Sequence, residues 1–229
     1  VVLLKSNEWT DYAKDQWNQN AQNWHARSKN MWEKGSRKEI LPFLQSALPI
    51  GKKICDLGCG DGYAALKLAE AGYLVTGIDL SEQMISIAKS YQHPNVRFLV
   101  GDLSNVPIPD HSQDGVLAIN SIEWTESPLD VIREIGRILI PKGIACIGIL
   151  GPTAGPRENA YPRLLGEKVM MNTMMPWEFS KLASEHGFIT LKELHVPKRE
   201  TDRTILSTLP DPLKQAISFM TVFLLQKVN

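Results

Sequence analysis

The feature that most constrains this chain is the run Lys53-Ile54-Cys55-Asp56-Leu57-Gly58-Cys59-Gly60-Asp61-Gly62, an apolar strand passing into glycines at alternate positions and then into the helical pattern Tyr63–Ala71. Glycines at such a bend let the backbone turn sharply and let a ligand lie against bare amide groups at a helix N-terminus. A dinucleotide fingerprint anchored at Gly58 and Gly60 needs a small residue at position 63, where Tyr63 stands, and no Gly-Lys-Ser/Thr ending follows for a P-loop. Asp56, just before the first glycine, faces a pyrophosphate unfavourably and suits an ammonium group.

Beyond this loop, short apolar runs alternate with helical patterns. Lys53–Leu57, Leu74–Asp79, Val96–Val100, Asp114–Asn120 and Ile144–Leu150 read as strands. Tyr63–Ala71 stopped by Gly72, Glu82–Tyr91 behind an N-cap at Ser81 and Pro128–Leu139 behind an N-cap at Ser127 read as helices. That alternation predicts an α/β fold with a parallel sheet and right-handed crossovers, whose ligands sit beyond the carboxyl ends of the strands. Downstream, the helix Trp177–His186 ends at Gly187, and strands Ile189–Val196 and Ser218–Lys227 flank a helical connection over Thr204–Ala216. So modest a connection favours an antiparallel pair, giving about seven strands with one reversed near the edge.

Upstream, Trp9, Trp17, Trp24 and Trp32 lie in a polar zone read as helices lying over something, closing in the helix Arg37–Leu44, with Ile40, Leu44 and Ala47 on one face. At 229 residues a single domain is expected: residues 1–50 a helical cap, 51–151 a ligand-binding core, 152–229 a substrate lid and the last strands.

Lysine plus arginine number 25 against 25 aspartate plus glutamate, which argues against a protein that holds nucleic acid by neutralising phosphates. No stretch approaches the roughly 18 apolar residues of a membrane span, and Val1-Val2-Leu3-Leu4-Lys5 lacks the basic flank and length of a signal peptide, so a cytoplasmic protein is expected. Cys55 and Cys59 are spaced without neighbouring histidines, so no metal is expected, and Cys55 and Cys146 read as buried small hydrophobes.

Carboxylates recur at the ends of the first three strands. Asp56 leads, Asp79 follows Gly58 by about 20 residues, where it can accept from both hydroxyls of a ribose, and Asp102 follows the third strand as an acceptor for an adenine amino group.

Together, Asp56-Leu57-Gly58-Cys59-Gly60-Asp61-Gly62, Gly77-Ile78-Asp79 and Gly101-Asp102-Leu103 resemble the motifs of the class I S-adenosylmethionine-dependent methyltransferases, particularly the small-molecule branch of the quinone and biotin pathways; the likeness runs from about Lys52 to Gly151. The resemblance implies a doubly wound, mainly parallel seven-stranded sheet of order 3-2-1-4-5-7-6 with strand 7 antiparallel. It implies S-adenosyl-L-methionine as cofactor, S-adenosyl-L-homocysteine as product and direct in-line transfer to a small-molecule acceptor. It places the methionine moiety against Gly58 and Gly60, with Asp56 near its amino group and Asn120 at its border, and counts Gly62 of the same loop among the cofactor-binding residues. Asp79 falls on the ribose, Asp102 on the adenine amino group, and Leu80, Met84 and Leu103 around the ring.

Where many relatives carry a His-rich segment after strand four, this chain has Ser121-Ile122-Glu123-Trp124-Thr125. Candidates for a general base are therefore Glu123, His25 and Tyr161. Arg27 is the candidate partner of the cofactor's carboxylate. The Trp-rich helices around Trp17–Trp32 and the stretch Tyr161–Met175, with Met170, Met171, Met174 and Met175, are expected to close over the cofactor from opposite sides. A non-catalytic S-adenosylmethionine-binding protein is the first alternative. A tRNA or other nucleic-acid methyltransferase gripping through Lys198-Arg199 or Arg27–Lys29 is disfavoured by the neutral charge, and an NAD-dependent dehydrogenase by Tyr63 and Asp56. Either a monomer or a homodimer is expected.

Overall fold

The computed structural model describes residues 6–198, 201 and 203–228; Val1–Lys5 and Arg199, which entered the sequence reading, lie outside them. The strands are β1 (Lys53–Leu57), β2 (Leu74–Asp79), β3 (Val96–Val100), β4 (Gln113–Ile119), β5 (Leu139–Leu150), β6 (Phe188–Pro197) and β7 (Ser218–Lys227). Those at the centre are buried almost end to end, as a sheet covered on both faces requires. They form one seven-stranded sheet in the order β3-β2-β1-β4-β5-β7-β6. β3, β2, β1, β4 and β5 run parallel, and β7 runs antiparallel to both β5 and β6, the topology expected from the sequence.

Strand order reverses between β1 and β4. β1 leads out toward β2 and β3, and the chain then returns to β1's other side, so the ends of β1 and β4 open a crevice suited to a ligand. The crossovers are α3 (Tyr63–Glu70), α4 (Glu82–Ala88) and α5 (Pro128–Ile138), numbered after α1 (Ser6–Glu33) and α2 (Ile40–Gln45). Ser81 Oγ accepts from the Met84 amide and Ser127 Oγ from the Asp130 amide, the two N-caps read from the sequence. One face of the sheet buries Val131, Ile135, Phe179 and Phe223; the other buries Leu44, Leu68, Ile85 and Leu224. After β5 come α6 (Pro176–Glu185), α7 (Arg203–Thr208) and α8 (Asp211–Ile217).

Three expectations are corrected. Trp9, Trp17, Trp24 and Trp32 share one helix of 28 residues, α1, where several were expected ahead of α2, because Ala13, Trp17, Ala21, Trp24 and Ser28 make a continuous inward stripe and no glycine or proline interrupts it before Gly35. The connection over Thr204–Ala216 divides into α7 and α8, with Pro210 in extended backbone at the N-cap position of α8. β5 begins at Leu139, where it pairs with Gln113, rather than at the expected Ile144, and it passes through Lys142, which has a positive φ.

The Met-rich segment, expected as a lid, has two of its methionines packed inward and none of residues 161–175 in the wall of the cavity beneath α1. Met174 joins the core of the sheet, and Met171 packs with Leu150, Ala154 and Ala160. Among the described residues no helix is long and apolar enough to cross a membrane.

Candidate functional site

A cavity of about 230 Å3 lies at the carboxyl ends of β1, β2 and β4, beneath α1. Its floor is the glycine loop. The amides of Gly58 and Cys59 donate to the Ile78 carbonyl, pulling the loop against the end of β2. A side-chain carbon on Gly58 would overlap Ser121, and Gly58 and Gly60 both hold positive φ, so neither position accommodates a side chain. Gly62 also has a positive φ but does not line the cavity. Its bare Cα faces Ala88 and Phe98, so its role is to let the start of α3 pack on α4 and β3.

Asp79 crosses from β2 to the loop. Its Oδ2 accepts from the Gly60 amide at 2.8 Å and its Oδ1 from the Ser81 amide at 2.9 Å. Burial pushes its carboxyl pKa up, opposed by these amides. Each oxygen retains a lone pair for a ligand hydroxyl. Asp102 holds Ser104 through the backbone amide and the hydroxyl, 2.9 and 2.8 Å from Oδ1, while Oδ2 lies 3.4 Å from Thr10 Oγ1 on α1. Asp79, Asp102, Leu80, Met84 and Leu103 line the cavity.

Asn120 also lines it, immediately after β4, and is a non-glycine residue in the left-handed region at φ +52°. Asparagine tolerates that conformation better than most residues, and such strain gathers at ligand sites. Its Oδ1 accepts from Arg37 Nη2 at 3.3 Å. Arg37 is buried, its guanidinium stacked 4.8 Å from the Trp24 ring and 5.3 Å from Trp32. Burial draws its pKa down to about 10 against the pull of Asp56, Asp61 and Glu123. Asp56 sits behind the loop rather than in the cavity wall. Its Oδ2 is buried without a hydrogen-bond partner among the described residues, and burial, reinforced by Asp79, raises its pKa to about 7. The hydroxyl of Ser121, which does line the cavity, is likewise buried and unpartnered.

The roof is α1. Trp9 Nε1 donates to the Trp124 carbonyl, Asn18 Oδ1 accepts from the Ser81 hydroxyl and the Gln83 amide, and Ser28 Oγ donates to Asp61 Oδ1 at 2.7 Å. Trp17 stands perpendicular to both Trp24 and Trp124, with centroids 6.0 and 5.1 Å apart.

The three proposed bases do not line the cavity. Glu123 turns inward, where its Oε1 accepts from the Leu150 amide at 2.6 Å. His25 Nδ1 lies 2.8 Å from Asp61 Oδ2, which ties the helix to the loop. Tyr161 is exposed on the 3-10 stretch Gly155–Leu165. Arg27 is exposed and donates to its own helix, at the Asn23 carbonyl. Arg37, Asp61 and Ser121 were missed in the sequence. Asp61 carried a signal, an acidic residue among loop glycines, whereas Arg37 lay in the charged run Lys34–Glu39 and looked solvated.

Residues 55–147 match the family model described as a methyltransferase domain. The chain is 33% identical over 117 residues to a malonyl-[acyl-carrier protein] O-methyltransferase of Pectobacterium atrosepticum, covering 51% of this chain and 46% of that protein. It is 32% identical over 133 residues to the 27-O-demethylrifamycin SV methyltransferase of Amycolatopsis mediterranei, covering 55% and 48%. The chain thus spans about half the length of these curated relatives. Among solved structures, it superposes with a TM-score of 0.72 at 19% identity on a chain of the complex between the Haloferax volcanii Trm112 methyltransferase activator and a methyltransferase, covering 94% of this chain and 97% of that one. At that identity the likeness is one of fold.

Proposed function

Starting from a chain whose residues 55–147 belong to the class I S-adenosylmethionine-dependent methyltransferases, we propose that it moves the methyl group of S-adenosylmethionine to a small-molecule acceptor held under α1. One observation carries this reading. Behind the glycine loop that floors the cavity lies a buried carboxylate oxygen without a partner among the described residues, Asp56 Oδ2, and the cavity wall itself carries two carboxylates with spare acceptor capacity, Asp79 and Asp102. That polarity matches a molecule with an amino-acid group at one end and a nucleoside at the other. The residues present therefore fit the cofactor.

In this reading Asp79 accepts from the ribose hydroxyls and Asp102 from the adenine amino group, with Leu80, Met84 and Leu103 around the ring. Gly58 and Gly60 offer bare backbone to the methionine moiety. Asp56 attracts its ammonium group and Arg37, one residue back from the wall through Asn120, attracts its carboxylate. Bound there, the cofactor supplies a methyl group already activated on a sulfonium. The chain has then to align the acceptor with the methyl carbon and keep water out. Trp9, Trp17, Trp24 and Trp124 provide the apolar walls. Because Glu123, His25 and Tyr161 stand outside the cavity, alignment carries the reaction and none of the three takes a proton from the acceptor. The named relatives act on a malonyl group carried by acyl carrier protein and on 27-O-demethylrifamycin SV; neither acceptor is carried over to this chain. Calorimetry with S-adenosylhomocysteine tests the reading: saturable one-to-one binding supports it, and no binding to the folded protein overturns it.

A further inference from the structure

Resting on that reading, we propose that the acceptor is an organic cation, an amine on a compact apolar body, and that methyl transfer at this site is to nitrogen. The charged residues lining the cavity all have one sign. Asp79, Asp102, Glu126 and Asp130 are there, and among the described residues no lysine, arginine or histidine is. Asp79 and Asp102 are matched to the nucleoside, which leaves Glu126 and Asp130 without a role in holding the cofactor. Both are exposed at the mouth, just after Trp124 and at the first turn of α5; Asp130 has Arg133 3.4 Å away, and Glu126 forms no ion pair among the described residues.

Between that mouth and the glycine loop stands the tryptophan wall. Trp17 is set at 85° to Trp24 and 86° to Trp124, so faces and edges meet at right angles, as in the aromatic corners that receive ammonium ions. The Ser121 hydroxyl, more than nine-tenths buried, unpartnered and in the cavity wall, offers a lone pair to an N–H. A carboxylate or phenolate acceptor would have to enter among charges of its own sign, and Arg37, the nearby cation, is matched to the cofactor's own carboxylate.

The step balances. The ammonium loses one proton to water at the mouth, the freed nitrogen lone pair forms the N–C bond, and the C–S bond breaks with its electron pair remaining on sulfur. One positive charge passes from sulfur to nitrogen, so the field that holds the substrate also holds the product.

The test compares two probes of similar shape and opposite charge, 2-phenylethylammonium and 3-phenylpropanoate, titrated into protein saturated with S-adenosylhomocysteine. The ammonium should bind at least about ten-fold more tightly, and the double variant Glu126→Gln/Asp130→Asn should lower that preference by about three-fold or more while S-adenosylhomocysteine binds as before. With S-adenosylmethionine, 2-phenylethylamine should gain one methyl on nitrogen. Equal or tighter binding of the carboxylate, or no binding of the ammonium to the loaded protein, overturns the proposal. Failure of S-adenosylhomocysteine itself to bind strikes at the proposed function instead, so the two failures are told apart.

Discussion

Trp24 Nε1 stands 2.9 Å from the point where a side chain on Gly60 would begin, so the long N-terminal helix and the glycine loop meet ring against bare backbone. Gly60 has φ +54°, a conformation that costs an ordinary residue about 1–2 kcal/mol. Gly60→Val should therefore push Trp24 away, fill the space a ligand needs and abolish S-adenosylhomocysteine binding in calorimetry. Gly155→Ala is the matched control, because a side chain there meets nothing within 4 Å and Gly155 has no positive φ. Gly72, also outside the loop, serves less well: its φ is +97° and its new carbon would lie 2.8 Å from Ile50. Equal loss of binding in Gly60→Val and Gly155→Ala would mean that the loop is not the binding surface.

Asp79→Ala removes a carboxylate that orders the loop as well as one aimed at the ligand. Charge-assisted hydrogen bonds contribute roughly 1.5–3 kcal/mol, so affinity for S-adenosylhomocysteine should fall about 10–150-fold. Because the Gly60 and Ser81 amides also lose their acceptor, the melting temperature should drop. Unchanged affinity in the folded variant would remove Asp79 from the site.

Arg37→Ala separates the two ends of the cofactor. Affinity for S-adenosylhomocysteine should fall by about 10-fold or more, the scale of a lost charged hydrogen bond. Affinity for methylthioadenosine, which lacks the amino-acid group, should change far less. Arg37→Lys keeps the charge but not the planar stack on Trp24 and Trp32, and should restore only part of the loss. If both ligands weaken equally, Arg37 acts by supporting the tryptophans and not through the carboxylate.

The strand pattern, both serine N-caps and the reversed last strand were legible because each is local: an apolar run, a capping hydroxyl, a short connection. The glycine loop with Asp79 and Asp102 was legible for the same reason. What the sequence did not show depended on rotation about a helix or on distant packing. Arg27 and Arg37 are both arginines of the N-terminal zone, and only the turn after α1 brings Arg37 back under Trp24 and Trp32 while Arg27 stays in solvent. Glu123 read as a base beside the site because nothing in the sequence shows that the Leu150 amide, on another strand, takes it inward.

If Asp56 meets the cofactor's ammonium group as proposed, cofactor affinity should depend on pH. Burial holds its carboxyl near 7 in the free protein, above the usual range of about 3.9. Between those values the folded chain keeps a proton that the unfolded chain has lost, so this group's contribution to stability falls as pH rises from about 4 to 7 and is flat above. A bound ammonium favours the ionised form. Below pH 7 binding must therefore expel a proton, and affinity should fall by up to about ten-fold per pH unit as the solution is acidified. Calorimetry at pH 6 in two buffers of different ionisation enthalpy should register release of about one proton, and Asp56→Asn should abolish it. A wild-type profile flat from pH 5.5 to about 8 would place Asp56 out of reach of the ligand.

The last prediction concerns the roof. α1 is tied to the loops and to α3 by polar contacts along its length, Asn18 to Ser81, His25 and Ser28 to Asp61, and Glu33 to Tyr63, yet most of its outer face is polar and open to solvent. Its inward tryptophans line the cavity, so a ligand beneath them adds contacts that exist only while the helix is docked. Any opening of α1 must then become rarer as ligand is added, by the factor 1 + [L]/Kd. The Met-rich stretch has no such contact: Met171 and Met174 are buried elsewhere and none of residues 161–175 lines the cavity. Limited proteolysis should therefore show cleavage within Trp9–Trp32 slowed by S-adenosylhomocysteine while cleavage around Tyr161–Gly166 proceeds at the same rate. Ser28→Ala, which removes the hydrogen bond to Asp61 at the buried centre of that contact, should speed the first cleavage without affecting the second. Protection of both segments would restore a two-sided lid, and protection of neither would mean that α1 is a fixed wall.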